Sequence, residues 1–110
     1  NMISLFDAKR QEHSLSIDKS SDKLGVTLLL YGGDPDEYAV YFYKNHERIK
    51  LGENGGMRFA SKTGYINEYK VTLDDVKAGD IIYAVEVPLN SEVGSMNIRK
   101  SISIVVTENE

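Results

Sequence analysis

The sequence predicts an all-β domain of seven to eight antiparallel strands, a sandwich or a barrel. Three observations carry this prediction. Apolar and polar residues alternate with period two along several short runs. Clusters of Gly, Asn, Asp and Pro separate those runs, as turns do. No stretch sustains the 3.6-residue apolar period of a long helix.

Taken in order, "MISLF" and "HSLSI" are the weaker candidates of the N-terminal third. "VTLLLY" (residues 26–31) and "YAVYFYK" (residues 38–44) are more continuously apolar, as suits the central strands of a packed sandwich. "GGDPDE" between them reads as a loop. "KNHE" (residues 44–47) reads as a tight reversal in which Asn45 can take a left-handed conformation. "GENGG" is a flexible link, and "MRFA" after it reads as a strand. A phosphate-binding glycine loop would open a helix instead. "EYKVTL" sets Tyr69, Val71 and Leu73 against Glu68, Lys70 and Thr72. "IIYAVEV" sets Ile81, Tyr83, Val85 and Val87 against Ile82, Ala84 and Glu86, and the first set is expected to face inward. "LNSEVGSMN" joins the last two runs. "SISIVVT" places Ile102, Ile104 and Val106 opposite Ser101, Ser103 and Val105.

Composition narrows the function. The 110 residues make one domain, read as spanning 1–110, and Asn1 ahead of Met2 reads as one module of a longer protein. The formal net charge is −4, where a duplex-binding domain is normally basic, so no nucleic-acid partner is expected. There is no cysteine, which removes disulfides, thiolate catalysis and Cys-ligated zinc. No apolar run approaches the roughly 20 residues of a membrane helix, so no membrane insertion is expected. No cofactor-binding motif occurs, and no cofactor is expected.

"LDDVKAGDIIY" is the most specific stretch. It resembles the corner between the fifth and sixth strands of immunoglobulin-like and fibronectin type III domains. There a leucine ends one strand, a second apolar residue and a glycine form the turn, and a tyrosine opens the next strand. Leu73, Val76, Gly79 and Tyr83 match those positions, with one additional residue between Gly79 and Tyr83. "VTLLLYGGDPDEYAVYFYKNHERI" is similar to the second and third strands of such domains. Phe42 stands where many members have tryptophan, and Leu30 and Val85 stand near their cysteine positions. The likeness covers roughly residues 24 to 106. It implies an antiparallel two-sheet Ig-like sandwich with a cysteine-free bacterial character. It also implies an inward Tyr83 whose hydroxyl bonds the backbone of the 73–80 corner. It leaves the compartment open, with a lean toward the extracellular space or cell surface.

Few residues suggest chemistry. His13 and His46 read as a strand-edge and a turn residue, because a triad needs a nucleophile and an orienting acid brought close. Asp34, Asp36 and Glu37, and again Asp74, Asp75 and Asp80, gather in loops without calcium-binding spacing. They read as turn-forming, solubilising groups, and no metal or catalytic residue is assigned. Lys44, Arg48 and Lys50 read as a solvated edge that discourages sheet association. The seven tyrosines are the better lead. With Val40 and Phe42 inward, Tyr41 and Tyr43 point outward on one strand, and Glu86 is placed beside them. Such a face can stack sugars or dock a protein, and it can equally serve cross-strand packing alone. The expectation is therefore a non-catalytic interaction or spacer module with a protein or glycan partner. A carbohydrate-binding module using Tyr41, Tyr43 and Glu86 is the second reading, and a small enzyme with an unrecognised site is the third.

Overall fold

The computed structural model describes residues 3–32, 38–50, 58–88 and 98–109. They contain no helix and eleven strands: β1 (Ile3–Phe6), β2 (Ser16–Ile17), β3 (Leu24–Tyr31), β4 (Tyr38–Lys44), β5 (Glu47–Arg48), β6 (Arg58–Thr63), β7 (Ile66–Leu73), β8 (Ile81–Pro88), β9 (Arg99–Lys100), β10 (Ile104–Val105) and β11 (Thr107–Glu108). The count exceeds the predicted seven to eight because β2, β5, β9, β10 and β11 have two residues each.

One antiparallel sheet has the order β1-β3-β7-β6. Leu24, Val26, Leu28 and Leu30 of β3 share one face and are all buried, as period-two alternation requires. Their partners Leu73, Val71, Tyr69 and Asn67 on β7 are buried with them. The other antiparallel sheet has the order β10-β8-β4-β5, with β9 also on β8. A third pair, β11 with β2, is parallel, which departs from the wholly antiparallel expectation. The long loop between β1 and β2 folds back on β1, where the His13 N–H donates to the Leu5 carbonyl at 2.7 Å.

Side chains from both larger sheets enter one hydrophobic cluster. Leu5, Leu28, Leu30 and Leu73 come from the first, and Phe42, Ile82, Ala84 and Ile104 from the second. Each fully buried Leu, Ile or Phe there stabilises the fold by about 1.5–3 kcal/mol relative to exposure. The end of the cluster is closed by Leu15, Ile17, Val76 and Val106, beside the parallel pair.

The expected strand at "SISIVVT" is broken into pieces. Ser101 is buried, and its hydroxyl accepts from the Ala84 N–H at 2.9 Å. Ile102, which the alternation sets on one side with Ile104 and Val106, is 56% exposed while those two are buried. The chain pairs with β8 at Ile104–Val105, then crosses to lie beside β2. This change of partner is possible because the Val106 N–H donates to the Asp80 carbonyl while the Val106 carbonyl accepts from Gly79, each at 2.8 Å.

Candidate functional site

The site grows from the hairpin of β4 and β5. Asn45 and His46 both have positive φ, 51° and 70°, which is the backbone of a two-residue type I′ turn. That turn sets Lys44 opposite Glu47 and Tyr43 opposite Arg48. On its other side β4 pairs with β8, so that Tyr43 meets Tyr83, Phe42 meets Ala84 and Tyr41 meets Val85. Phe42 is fully buried, and Val40 packs against the core. Tyr41 and Tyr43 therefore face outward, with Tyr83 and Val85 beside them.

This reverses the predicted faces of β8. Tyr83, expected inward, lies on the outer face and is half-buried, whereas Ile82, Ala84 and Glu86 are fully buried. Apolar content alone favoured Ile81, Tyr83, Val85 and Val87 as the core set. The cross-strand register overrules it, because any strand paired with β4 must place its inward residues opposite Phe42 and Val40. The small Ala84 opposite the large Phe42 satisfies core volume.

The outer face is a row of rings and cations. The Tyr43 and Tyr83 rings are stacked, with centroids 5.1 Å apart and planes 8° from parallel. The Arg48 guanidinium lies 3.7 Å from the Tyr41 centroid. Lys100 of β9 places its ammonium 4.2 Å from the Tyr83 centroid, and the His46 ring is 5.8 Å from the same ring. Lys100 also donates to the Ser103 hydroxyl at 3.0 Å. Contacts of this kind contribute about 0.5–1 kcal/mol each at exposed sites. The position of Arg48 follows from a two-residue turn in "KNHE", so its sequence did carry that signal. Nothing local to Lys100 indicated that it would arrive beside Tyr83.

Glu86 does not join this face. It is fully buried on the core side, where its Oε1 accepts from Arg99 Nε at 2.6 Å. Arg99 also donates to the carbonyls of Tyr31 and Gly32 at 2.9 and 3.1 Å, which ties β9 to the end of β3 in the other sheet. Burial pushes the Glu86 carboxyl above its ordinary range, although the Arg99 guanidinium pulls it back. The pair supplies a partner to Oε1 of a carboxylate held in the core, while Oε2 is buried with no hydrogen-bond partner among the described residues.

The 73–80 corner is built by other atoms than those expected. Leu73 and Val76 are buried, and Gly79 has φ +97°, a conformation that an L side chain rarely adopts. No hydrogen bond joins the Tyr83 hydroxyl to the 73–80 backbone. Asn45 supplies the tie instead: its Oδ1 accepts from the Ile81 N–H at 2.9 Å, and its Nδ2 donates to Asp80 Oδ1 at 3.1 Å. Asp80 Oδ2 accepts from the Lys77 N–H at 3.0 Å. Burial pushes the Asp80 carboxyl up, but the bonds from Lys77 and Asn45, with the charges of Lys44 and Lys77, leave it below its ordinary value.

The remaining candidates do not converge. Asp74 pairs with Lys23 at 2.7 Å, and Asp34, Asp36 and Glu37 lie outside the described residues. Among the described residues no three His, Asp or Glu side chains are placed to hold a metal ion. His13 contacts Glu12 at 3.4 Å, and among the described residues no hydroxyl hydrogen-bonds either imidazole. No described helix is long and apolar enough to cross a membrane. No protein-family model matches the chain, and no curated protein is significantly similar to it.

Proposed function

We propose that this chain is a non-catalytic binding module with an Ig-like β-sandwich fold, and that the outer face of β4 and β8 is its ligand surface. The strand orders β1-β3-β7-β6 and β5-β4-β8 with β9 and β10 support the fold reading. Their likeness to the A-B-E-D and C-F-G sheets of Ig-like sandwiches is what supports it. The shared hydrophobic cluster between the sheets supports it further.

The observation that carries the functional reading is the placement of Tyr41, Tyr43 and Tyr83. These large rings sit on the face that does not serve the core, flanked by Arg48 and Lys100. Aromatic and Arg side chains with a polar tip are what binding surfaces concentrate. A spacer would need no such row.

The test is a screen of immobilised glycans and proteins with the parent chain and with Tyr43→Ala and Tyr83→Ala. Saturable binding that both substitutions weaken supports a module that binds through this face. Binding indifferent to both, or no binding at all, refutes it and favours a spacer.

A further inference from the structure

Resting on that reading of the face, we infer that its ligand is an anionic glycan, a chain of sugars bearing carboxylate or sulfate groups. Three features of the face lead there. The first is charge. The chain as a whole carries −4, yet the described side chains directed outward from β4, β5, β8 and β9 include Arg48 and Lys100 and no carboxylate. Glu47 has the opposite strand parity to Arg48. Neither Arg48 nor Lys100 has a carboxylate partner among the described residues; Lys9, Lys19, Lys44, Lys50, Lys62 and Lys77 share that state, but only Arg48 and Lys100 stand against the outward tyrosine rings. This face of an acidic protein thus presents two cations with no carboxylate among the described residues beside them, which is the complement of an anionic ligand.

The second feature is the occupancy of the rings. One side of Tyr83 is covered by Tyr43 of β4 and the other by Lys100 of β9, since β8 runs between those strands. Tyr41 carries Arg48 on its face. Both broad faces of Tyr83 and one face each of Tyr43 and Tyr41 are therefore already used, which leaves little ring surface for a nucleic-acid base or a neutral sugar to stack on. Beside them stand ring edges, phenolic hydroxyls and the donors of Arg48 and Lys100, a set suited to hydroxyl and anionic oxygens.

The third feature is direction. Arg48 and Lys100 stand on β5 and β9, at the two ends of the order β5-β4-β8-β9. Three interstrand gaps separate them, about 14 Å at about 4.8 Å per gap. That is the span of a few sugar residues lying across the strands. An extended acidic peptide would normally add at a sheet edge, where free main-chain groups can pair with it. On this face the main-chain groups of β4 and β8 are committed to their ladder. A sugar chain carries its hydrogen-bonding groups all around and needs no such edge.

The experiment is calorimetric titration of the chain with four probes: a sulfated dextran oligomer, an oligogalacturonate, a neutral cello-oligosaccharide and poly-glutamate of matched length. The expected result is binding to either or both anionic oligosaccharides, weakened by added salt because exposed charges are screened. Arg48→Ala and Lys100→Ala should each weaken it about tenfold. Circular dichroism and urea melts of both variants check that they fold as the parent does. Equal binding of the neutral oligosaccharide, or preference for poly-glutamate, would overturn the anionic-glycan inference while leaving the face as a binding surface. Binding to none of the four, together with a screen showing no face-dependent partner, would overturn both.

Discussion

Asn45→Ala is the most informative single substitution, because one side chain joins a hairpin turn to the corner that precedes β8. The change deletes the bond accepted from the Ile81 N–H and the bond donated to Asp80. A neutral hydrogen bond contributes about 1 kcal/mol and one to a charged group about 1.5–3 kcal/mol. Asn45 also has φ 51°, and an alanine held in the left-handed region adds about 1 kcal/mol of backbone cost. The bond to Ile81 is solvent-exposed, which places the total near the lower end, about 3 kcal/mol. Asn45→Gly removes the same two bonds but relieves the backbone, so it should destabilise by about 1 kcal/mol less. The assay is urea unfolding followed by circular dichroism. With a slope of about 1.5 kcal/mol per molar, Asn45→Ala should lower the midpoint by about 2 M. A double-mutant cycle with Asp80→Ala should show coupling of about 1 kcal/mol or more, as expected for directly bonded partners. An Asn45→Ala variant within about 0.5 kcal/mol of the parent would refute the assignment of the corner's tie to Asn45. So would a glycine variant no more stable than the alanine one.

Other expectations follow from burial and hydrogen bonding. Tyr83→Phe should leave the unfolding free energy within about 0.5 kcal/mol of the parent in urea melts, since the hydroxyl bonds nothing in the corner; a clear loss would place it back there. Phe42→Ala should cost about 3–5 kcal/mol, because it empties a fully buried site opposite Ala84. Tyr43→Ala forfeits chiefly its stacking on Tyr83 and should cost about 1–2 kcal/mol, so the reverse order in melts would mean that the faces of β4 are exchanged. The folded Asp80 carboxyl lies below its ordinary 3.8, so its stabilising contribution is full above about pH 4 and fades as pH falls through the lower folded value. Glu86, raised by burial, acts in the opposite sense, destabilising the fold as it ionises with rising pH. Urea midpoints of Asp80→Asn across the acid range should lack the rise with pH that Asp80 gives the parent, and an unchanged profile would contradict its role.

Local sequence determined the strand character of the chain, because alternation and turn residues act within a few positions of each other. It placed β4 at Tyr38–Lys44, the left-handed turn at Asn45, Phe42 in the core and the outward direction of Tyr41 and Tyr43. The resemblance likewise set Leu73, Val76 and Gly79 in a corner, where Leu73 and Val76 are buried and Gly79 has a positive φ. The direction of Tyr83 was beyond the reach of local sequence. A period-two pattern defines two faces without saying which is inside, and in "IIYAVEV" the more apolar face is the outer one. Only pairing with β4 decides, and a charged Glu86 can point inward because Arg99, brought back by the chain to lie beside β8, meets it there. The same holds for Lys100 above Tyr83, and for the last segment, which leaves β8 after Val105 to lie parallel to β2. These contacts join residues far apart in the chain, so their energies depend on tertiary placement and leave no local pattern to read.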